Sequence, residues 1–286
     1  MKKIFFAIIG IFTLTFFMHS CRESFDAGDW DVTPTEFLDP NEYTGPTKTL
    51  KVMSVNFAIR QNGHLLEPTI DVIKAYDPDL LFLRQADSKT TRAGGVDRPQ
   101  EVADALGMNL FFKGRDYGGG QFGNAVLSKF PITEELGVDL TYVAGQGEQR
   151  MLAMIKVEVE EDLYLYFAGT ELETNADDRR SQAIDILRVT EELTDPVIFV
   201  GNFNEQWTAP QAALTYIEGS FKYACASTGC AFNSPKANPT GTYDYITYQD
   251  PNDLLIVSKT LEAFKDPETP LGMFPTTAEI KIKLEE

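Results

Sequence analysis

Between Leu50 and Leu284 the apolar positions switch repeatedly between a two-residue period and a 3.6-residue period. Leu50–Phe57 is apolar and rich in β-formers. Leu80–Leu83 contains no polar residue, the pattern of a strand covered on both faces. Asn109–Phe112, Gly123–Ser128, Met151–Val159 and Leu163–Ala168 read as further strands, the last two joined as a hairpin across Glu160-Glu161-Asp162. Pro196–Val200, ending at Gly201, is another buried strand. Tyr243–Thr247, Leu254–Val257 and Thr276–Leu284 complete the set.

Helical spacing appears in four places. Pro68–Tyr76 carries Ile70, Ile73 and Lys74 at helical intervals, and Gln100–Leu106 is closed by Gly107. Asp177–Leu193 is the clearest helix. Ala183, Ile186, Leu187, Thr190 and Leu193 mark one face, and Asp177 and Asp178 occupy the first turn, where the helix dipole favours acids. Ala209–Ile217 reads as a fourth. The alternation predicts an α/β chain. Residues 49–286 contain no internal repeat and no low-complexity linker, so they form one domain of about 240 residues, at the upper end of common sizes.

The N-terminus follows a different pattern. Lys2 and Lys3 precede an apolar run from Ile4 to Met18, too short for a membrane-spanning helix of about 20 residues. A basic start and a short apolar run predict an export signal over residues 1–20. The sequence His19-Ser20-Cys21 places a small residue and a cysteine directly after the run. This resembles the lipobox of bacterial lipoproteins and predicts cleavage before Cys21, lipidation of its thiol and anchoring to a membrane of the cell envelope. Residues 21–48, rich in Asp, Glu, Pro, Thr and Gly, then read as a tether.

Charge and composition narrow the function. The chain has 25 basic and 43 acidic residues, a net charge of −18, with two histidines and three cysteines. Loss of residues 1–20 removes Lys2, Lys3 and His19, which leaves 23 − 43 = −20 and the single histidine His64. Such a chain is a poor partner for nucleic acid, whose phosphates demand clustered Lys and Arg. Outside the cytoplasm, Cys225 and Cys230 in Cys-Ala-Ser-Thr-Gly-Cys are expected to form a disulfide rather than half of a metal site. Gly118-Gly119-Gly120 lacks the following Lys and helix start of a phosphate loop and is expected to be a plain loop. Trp207 is equally readable as a stacking platform or as a rim or core aromatic.

Several segments, in order, resemble the motifs of the endonuclease/exonuclease/phosphatase family. Met53-Ser54-Val55-Asn56 resembles the strand ending in Asn that opens the family pattern. Pro78-Asp79-Leu80-Leu81-Phe82-Leu83 resembles its second strand. Gly123-Asn124-Ala125-Val126-Leu127-Ser128-Lys129-Phe130-Pro131 resembles its Gly-Asn-x-apolar-Leu-Ser-Arg-aromatic-Pro segment. Thr170-Glu171-Leu172 stands where the family has Thr-His-Leu. Arg179 and Gln182 match the Arg-x-x-Gln start of the following helix. Gly201-Asn202-Phe203-Asn204 stands for Gly-Asp-Phe-Asn, Tyr243-Asp244-Tyr245-Ile246 for apolar-Asp-Tyr-Ile, and Leu271-Gly272-Met273-Phe274-Pro275 for Ser-Asp-His-x-Pro. The resemblance implies a four-layer α/β/β/α sandwich with two mostly antiparallel sheets, and a divalent metal, usually Mg²⁺, that helps cleave phosphate esters.

The same alignment removes the expected chemistry. A hard divalent cation needs anionic oxygen ligands. The metal Glu is replaced by Gln85, the Asp of Gly-Asp-x-Asn by Asn202, the His of Thr-His-Leu by Glu171, and the final Asp and His by Gly272 and Met273. Asn56, Asn124, Asn204 and Asp244 remain. No alignment shift supplies the family's pair of histidines. Two readings follow. In the first, catalysis is lost, no cofactor is needed, and a cleft of Asn56, Gln85, Glu171, Asn202, Asn204 and Asp244 binds a neutral polar ligand such as a glycan or peptide. In the second, the chain is a Mg²⁺-dependent phosphatase or phosphodiesterase with a divergent site, its metal held by Glu171 and Asp244 with help from Glu173 or Asp177. The first is favoured, because no spacing rule selects any pair of these acids. Arg84 and Arg150 are then either anion-binding groups or partners for the surrounding acids.

Overall fold

The computed structural model describes residues 43–58, 65–143, 147–207, 211–226 and 229–284. The leader, Cys21, most of the tether and His64 lie outside the described residues. The folded unit begins at Gly45.

Among the described residues, twelve strands and four α-helices follow one another as β1 Thr47–Asn56, α1 Leu66–Tyr76, β2 Leu80–Ser88, α2 Arg98–Leu106, β3 Asn109–Tyr117, β4 Gly120–Ser128, β5 Ile132–Asp139, β6 Met151–Glu160, β7 Leu163–Glu171, α3 Ala176–Thr190, β8 Val197–Asn202, α4 Leu214–Ile217, β9 Lys222–Tyr223, β10 Asp244–Gln249, β11 Leu255–Ala263 and β12 Thr276–Lys283. They build two six-stranded sheets, ordered β11-β12-β1-β2-β4-β3 and β5-β6-β7-β8-β10-β9. The family's sandwich is therefore present. Each sheet is antiparallel except for one central parallel pair, β1 with β2 and β7 with β8. A parallel pair needs a crossover, and α1 and α3 supply it.

Three apolar layers hold the four structural layers together. Leu50, Val52, Leu80, Phe82 and Val126 of the first sheet meet Ile155, Phe167, Ile198, Val200 and Ile246 of the second in the central core. The alternate residues Met53, Val55, Leu81 and Leu83 face outward and pack under Ile70, Ile73 and Val102 of α1 and α2. Phe199, Met154 and Ala168 do the same beneath Ala183 and Ile186 of α3. Side chains alternate along a strand. A strand with helices on one face and a sheet on the other is therefore apolar throughout, which is why Leu80–Leu83 shows no alternation.

Local chemistry sets the boundaries. Asp97 caps α2 by accepting from the Gln100 amide, Pro99 stands in its first turn, and Gly107 ends it in the left-handed region at φ 65°. Asn175 caps α3 through the amides of Asp177 and Asp178.

Several expectations need correction. The fourth helix is only Leu214–Ile217; Gln211–Ala213 is not helical, and Thr208, Ala209 and Pro210 lie outside the described residues. The clearest helix stops at Thr190, three residues early. β5 and β9 went unrecognised because β5 is an outer strand with mostly exposed residues and β9 has only two. β11 extends to Ala263 through two register shifts that blur its alternation. Gly118 and Gly119 form the tight turn joining β3 to β4, with φ 54° and 83°. Trp207 sits at the rim, 40% exposed, edge-on to Tyr223. Cys225 and Cys230 are joined in a disulfide, as expected and in need of no correction.

Candidate functional site

The two crossovers place the ends of their parallel strands at one edge of the sandwich. β1 ends on Asn56, which lies beside Arg84 of β2. β7 ends on Glu171, beside Asn202 at the end of β8, and Asn202 lies beside Asp244 at the start of β10. Ligand sites of α/β sheets form at the carboxyl ends of parallel strands, where the connecting loops diverge. Close approach of the sheets here depends on Gly169, because a Cβ at that position would lie 2.2 Å from the Phe82 ring.

At the centre is a buried guanidinium. Arg84 is 2% exposed. Its Nε lies 3.2 Å from Asp244 Oδ1 and its Nη1 3.5 Å from Glu171 Oε1, while its Nη2 donates to Met273 Sδ at 3.0 Å. The Nε–H is not aligned on the Asp244 oxygen, so that contact is an ion pair rather than a directed hydrogen bond. The pairing of β2 with β4 is shifted between Leu83 and Ala86, and Gln85 sits at φ 59°. In a regular strand, neighbours point to opposite faces. The bulge cancels that alternation: Gln85 Nε2 donates to the same Glu171 oxygen at 2.9 Å. A non-glycine residue held in this region costs roughly 1 kcal/mol or more and persists where the surroundings fix it.

Most of the remaining polar groups are satisfied from within. Asn202 and Asn233 donate to the two oxygens of Asp244 at 3.5 and 3.2 Å, and Asn233 also donates to the Phe274 carbonyl. Asn204 accepts nothing from the cleft; its backbone amide donates to Asn202 Oδ1 and its side chain to the Leu172 carbonyl. Asn124 donates to the Met151 carbonyl. Asn56 Oδ1 is buried without a partner. The amides at 85 and 202 each turn an NH₂ toward a carboxylate, where a Glu or Asp would set two negative charges side by side.

A second guanidinium extends the network outward. Arg150 Nη1 lies 3.4 Å from Glu171 Oε1 and its Nε 3.1 Å from Glu173 Oε2. Burial pushes the Glu173 carboxyl up, but the backbone amides of Glu148 and Thr174 and the Arg150 guanidinium outweigh it and hold the group down at about 2. Gly147 makes this possible, since a Cβ there would lie 2.8 Å from the Glu173 carboxyl carbon. Gln182 accepts from the Glu173 amide, and Arg179 donates to the carbonyls of Glu173 and Thr174, so the start of α3 anchors this turn. Arg179 also pairs with buried Glu205. Burial raises the Glu205 carboxyl, and the backbone amides of Leu214, Ala212 and Ala213 with the Arg179 guanidinium bring it below the usual range.

Four predicted positions therefore come together around Arg84: Gln85, Glu171, Asp244 and Met273. Asn202 joins through Asp244. Asn124 serves the backbone beside this cluster, Gly272 is exposed, and Asp177 lies on the surface paired with Arg180. Among the described residues, no three Asp, Glu, His or Cys side chains are grouped to hold a metal. The donor set does not fit a divalent ion. Its two carboxylates already share Arg84, and its amides at 85 and 202 present hydrogens rather than oxygens to those carboxylates. Asn233 and Glu205 carry no signal in the sequence, because each acts through contacts made only after folding. Arg84 had one signal: a cation directly following a fully apolar strand.

Comparison with known proteins gives the scaffold its relatives. Residues 47–221 match the family described as PGAP2IP, C-terminal nuclease-like domain. No curated protein sequence matches the chain. Solved structures do. An endonuclease/exonuclease/phosphatase family protein from Bacteroides thetaiotaomicron superposes with a TM-score of 0.67 at 17% identity, over 84% of this chain and 100% of its own. Mannosyl-6-phosphatase Bt3783 from the same species gives 0.63 at 18%, over 81% and 99%. The human Nocturnin catalytic domain with bound sulfate gives 0.63 at 17%, over 83% and 97%.

Proposed function

We propose, from the premise that the chain belongs to this nuclease-like family of endonuclease/exonuclease/phosphatase fold, that it is a binding protein in which metal-dependent phosphoester cleavage has been lost. One observation carries the reading: Arg84 engages both Glu171 and Asp244, the two acids that a divergent metal site would use. A buried guanidinium neutralises them in place of a cation, and the amides at 85 and 202 complete their hydrogen bonding. Both acids therefore already carry a cationic partner. Glu171, where the family carries a histidine, would repel a phosphate were it not neutralised, and the net charge of −20 after processing works against a polyanion.

The ligand on this reading is neutral and polar, a glycan or a peptide. The chain is exported and held at the cell envelope through lipid on Cys21. Replacement of Cys21 by Ser would then move the protein from the membrane fraction to the soluble fraction.

The deciding assay follows hydrolysis of a phosphomonoester and a phosphodiester, with Mg²⁺ and with Mn²⁺, by the wild type and by Asp244→Ala. The expected result is no turnover above the blank for either. Metal-dependent turnover that Asp244→Ala abolishes would establish the alternative, an active phosphoesterase, and overturn the proposal.

A further inference from the structure

Beside the Arg84 cluster lies an open hollow of about 250 Å³. Its wall is formed by Gln85, Arg92, Tyr117, Glu148 and Arg150, with Phe122 beneath and Glu171 at the back. Each charged group of the lining already has a partner of opposite sign: Arg92 has Asp87, Glu148 has Arg115, Glu171 has Arg84 and Arg150, and Arg150 also has Glu173. A charged ligand would compete with these pairs, and a neutral one would not.

The polar groups are held still by their own partners. Arg92 donates from Nε to Asp87 at 2.9 Å and from Nη1 to the Tyr117 hydroxyl at 3.2 Å, with its guanidinium 4.4 Å from the Tyr117 ring and 4.7 Å from the Phe122 ring. Arg150 is fixed by Glu171 and Glu173, and Gln85 by Glu171. Arg115 holds one oxygen of Glu148 at 3.2 Å. Locked side chains lose little entropy when a ligand arrives, which makes the hollow preorganised. The groups left for a ligand are of both kinds. Gln85 Oε1 and the second oxygen of Glu148 accept; Arg150 Nη2 and the Tyr117 hydroxyl donate. Arg92 Nη2 is buried without a hydrogen-bond partner.

A hydroxyl both donates and accepts, so a neutral ligand dense in hydroxyls satisfies such an alternating wall. Tyr117, 37% exposed, adds apolar ring surface for C–H groups. Drug-sized pockets begin at about 300 Å³. This hollow is smaller, and its lining is mainly polar, whereas a peptide side chain seats in an apolar pocket.

We infer that this hollow is a carbohydrate subsite that takes one neutral sugar residue of a larger glycan. The inference rests on the binding-protein reading above and gives it a place and a ligand class.

The test screens the purified chain against an array of neutral, sialylated and phosphorylated glycans. It then measures the strongest neutral binder by calorimetry with the wild type, Tyr117→Ala, Glu148→Ala and Trp207→Ala, a rim residue that does not line the hollow. The expected result is binding of at least one neutral glycan, weakened about tenfold or more by the first two substitutions and unchanged by the third. Tyr117 and Glu148 are exposed enough for their truncation to leave the fold intact, and thermal unfolding of each variant checks this. No binding on the array, binding restricted to anionic glycans, or neutral binding indifferent to both hollow variants would each overturn the inference. Phosphoester hydrolysis together with hollow-dependent glycan binding would overturn only the loss of catalysis. A silent array with no hydrolysis would overturn only the sugar subsite.

Discussion

Arg84 Nε lies 3.2 Å from Asp244 Oδ1, and both side chains are buried. The pair joins the two sheets of the sandwich: Arg84 stands on β2, Asp244 on β10. Buried ion pairs rarely add net stability, because each charge must shed its water, but removing one partner leaves the other charge buried and unmatched. That asymmetry makes the pair testable.

Arg84→Ala is expected to destabilise the protein by about 3–5 kcal/mol, since Asp244 and Glu171 both lose their cation. Denaturant unfolding measures it. The variant also acquires a response that the wild type lacks: Mn²⁺ raises its melting temperature, and so does guanidinium ion at concentrations far below denaturing. Equal stabilisation of the wild type by Mn²⁺ would show that Arg84 does not occupy the cation's place.

The double variant Arg84→Met with Asp244→Asn tests coupling. Residues in one ion-pair network show interaction energies of about 0.5–3 kcal/mol. The double variant is expected to be more stable than the sum of the two single losses, and additive losses would mean that the two side chains stabilise the fold independently.

Glu173 predicts a pH dependence. A carboxyl whose folded value of about 2 lies below its ordinary 4.5 stabilises the fold fully above 4.5, and that stability is lost as the pH falls from there toward 2. Unfolding free energies measured across this window should fall less steeply for Glu173→Gln than for the wild type. Parallel curves would assign the acid sensitivity to other groups.

Gly169→Val is expected to cost roughly 1–3 kcal/mol through overpacking against Phe82, whose ring leaves no room for a Cβ. Pairing the change with Phe82→Leu should recover part of that loss. Calorimetric melting of the three variants checks it.

Reduction, or replacement of Cys225 and Cys230 by serine, removes a cross-link spanning only five bonds of sequence separation. So short a loop limits the entropic loss to about 2 kcal/mol. Unfolding with and without reductant should differ by no more than this and should leave the variant insensitive to reductant.

Much of the architecture was readable from local pattern. Doubly covered strands such as Leu80–Leu83 and Pro196–Val200 announce themselves by unbroken apolarity, and the end of α2 by Gly107. The elements that escaped were those whose sequence carries little burial: β5 lies at an edge, β9 has two residues, and α4 is a single turn held by Glu205. The site divided in the same way. Gln85, Glu171, Asn202 and Met273 could be named because they interrupt recognisable motifs, and Asp244 because it keeps one.

What filled the space between them could not be named. Sequence by itself determined most of the elements and the identities of the replaced residues, because these depend on periodicity and on short motifs within single segments; the layers followed from the family those motifs resemble. Only the tertiary structure decided that Arg84 satisfies both remaining acids. That outcome depends on a bulge at Gln85, on the register that puts Glu171 and Asp244 on either side of Asn202, and on the approach of two sheets. A charge has no preferred partner along the chain; its partner is whichever opposite charge the folded packing leaves beside it once water has been excluded.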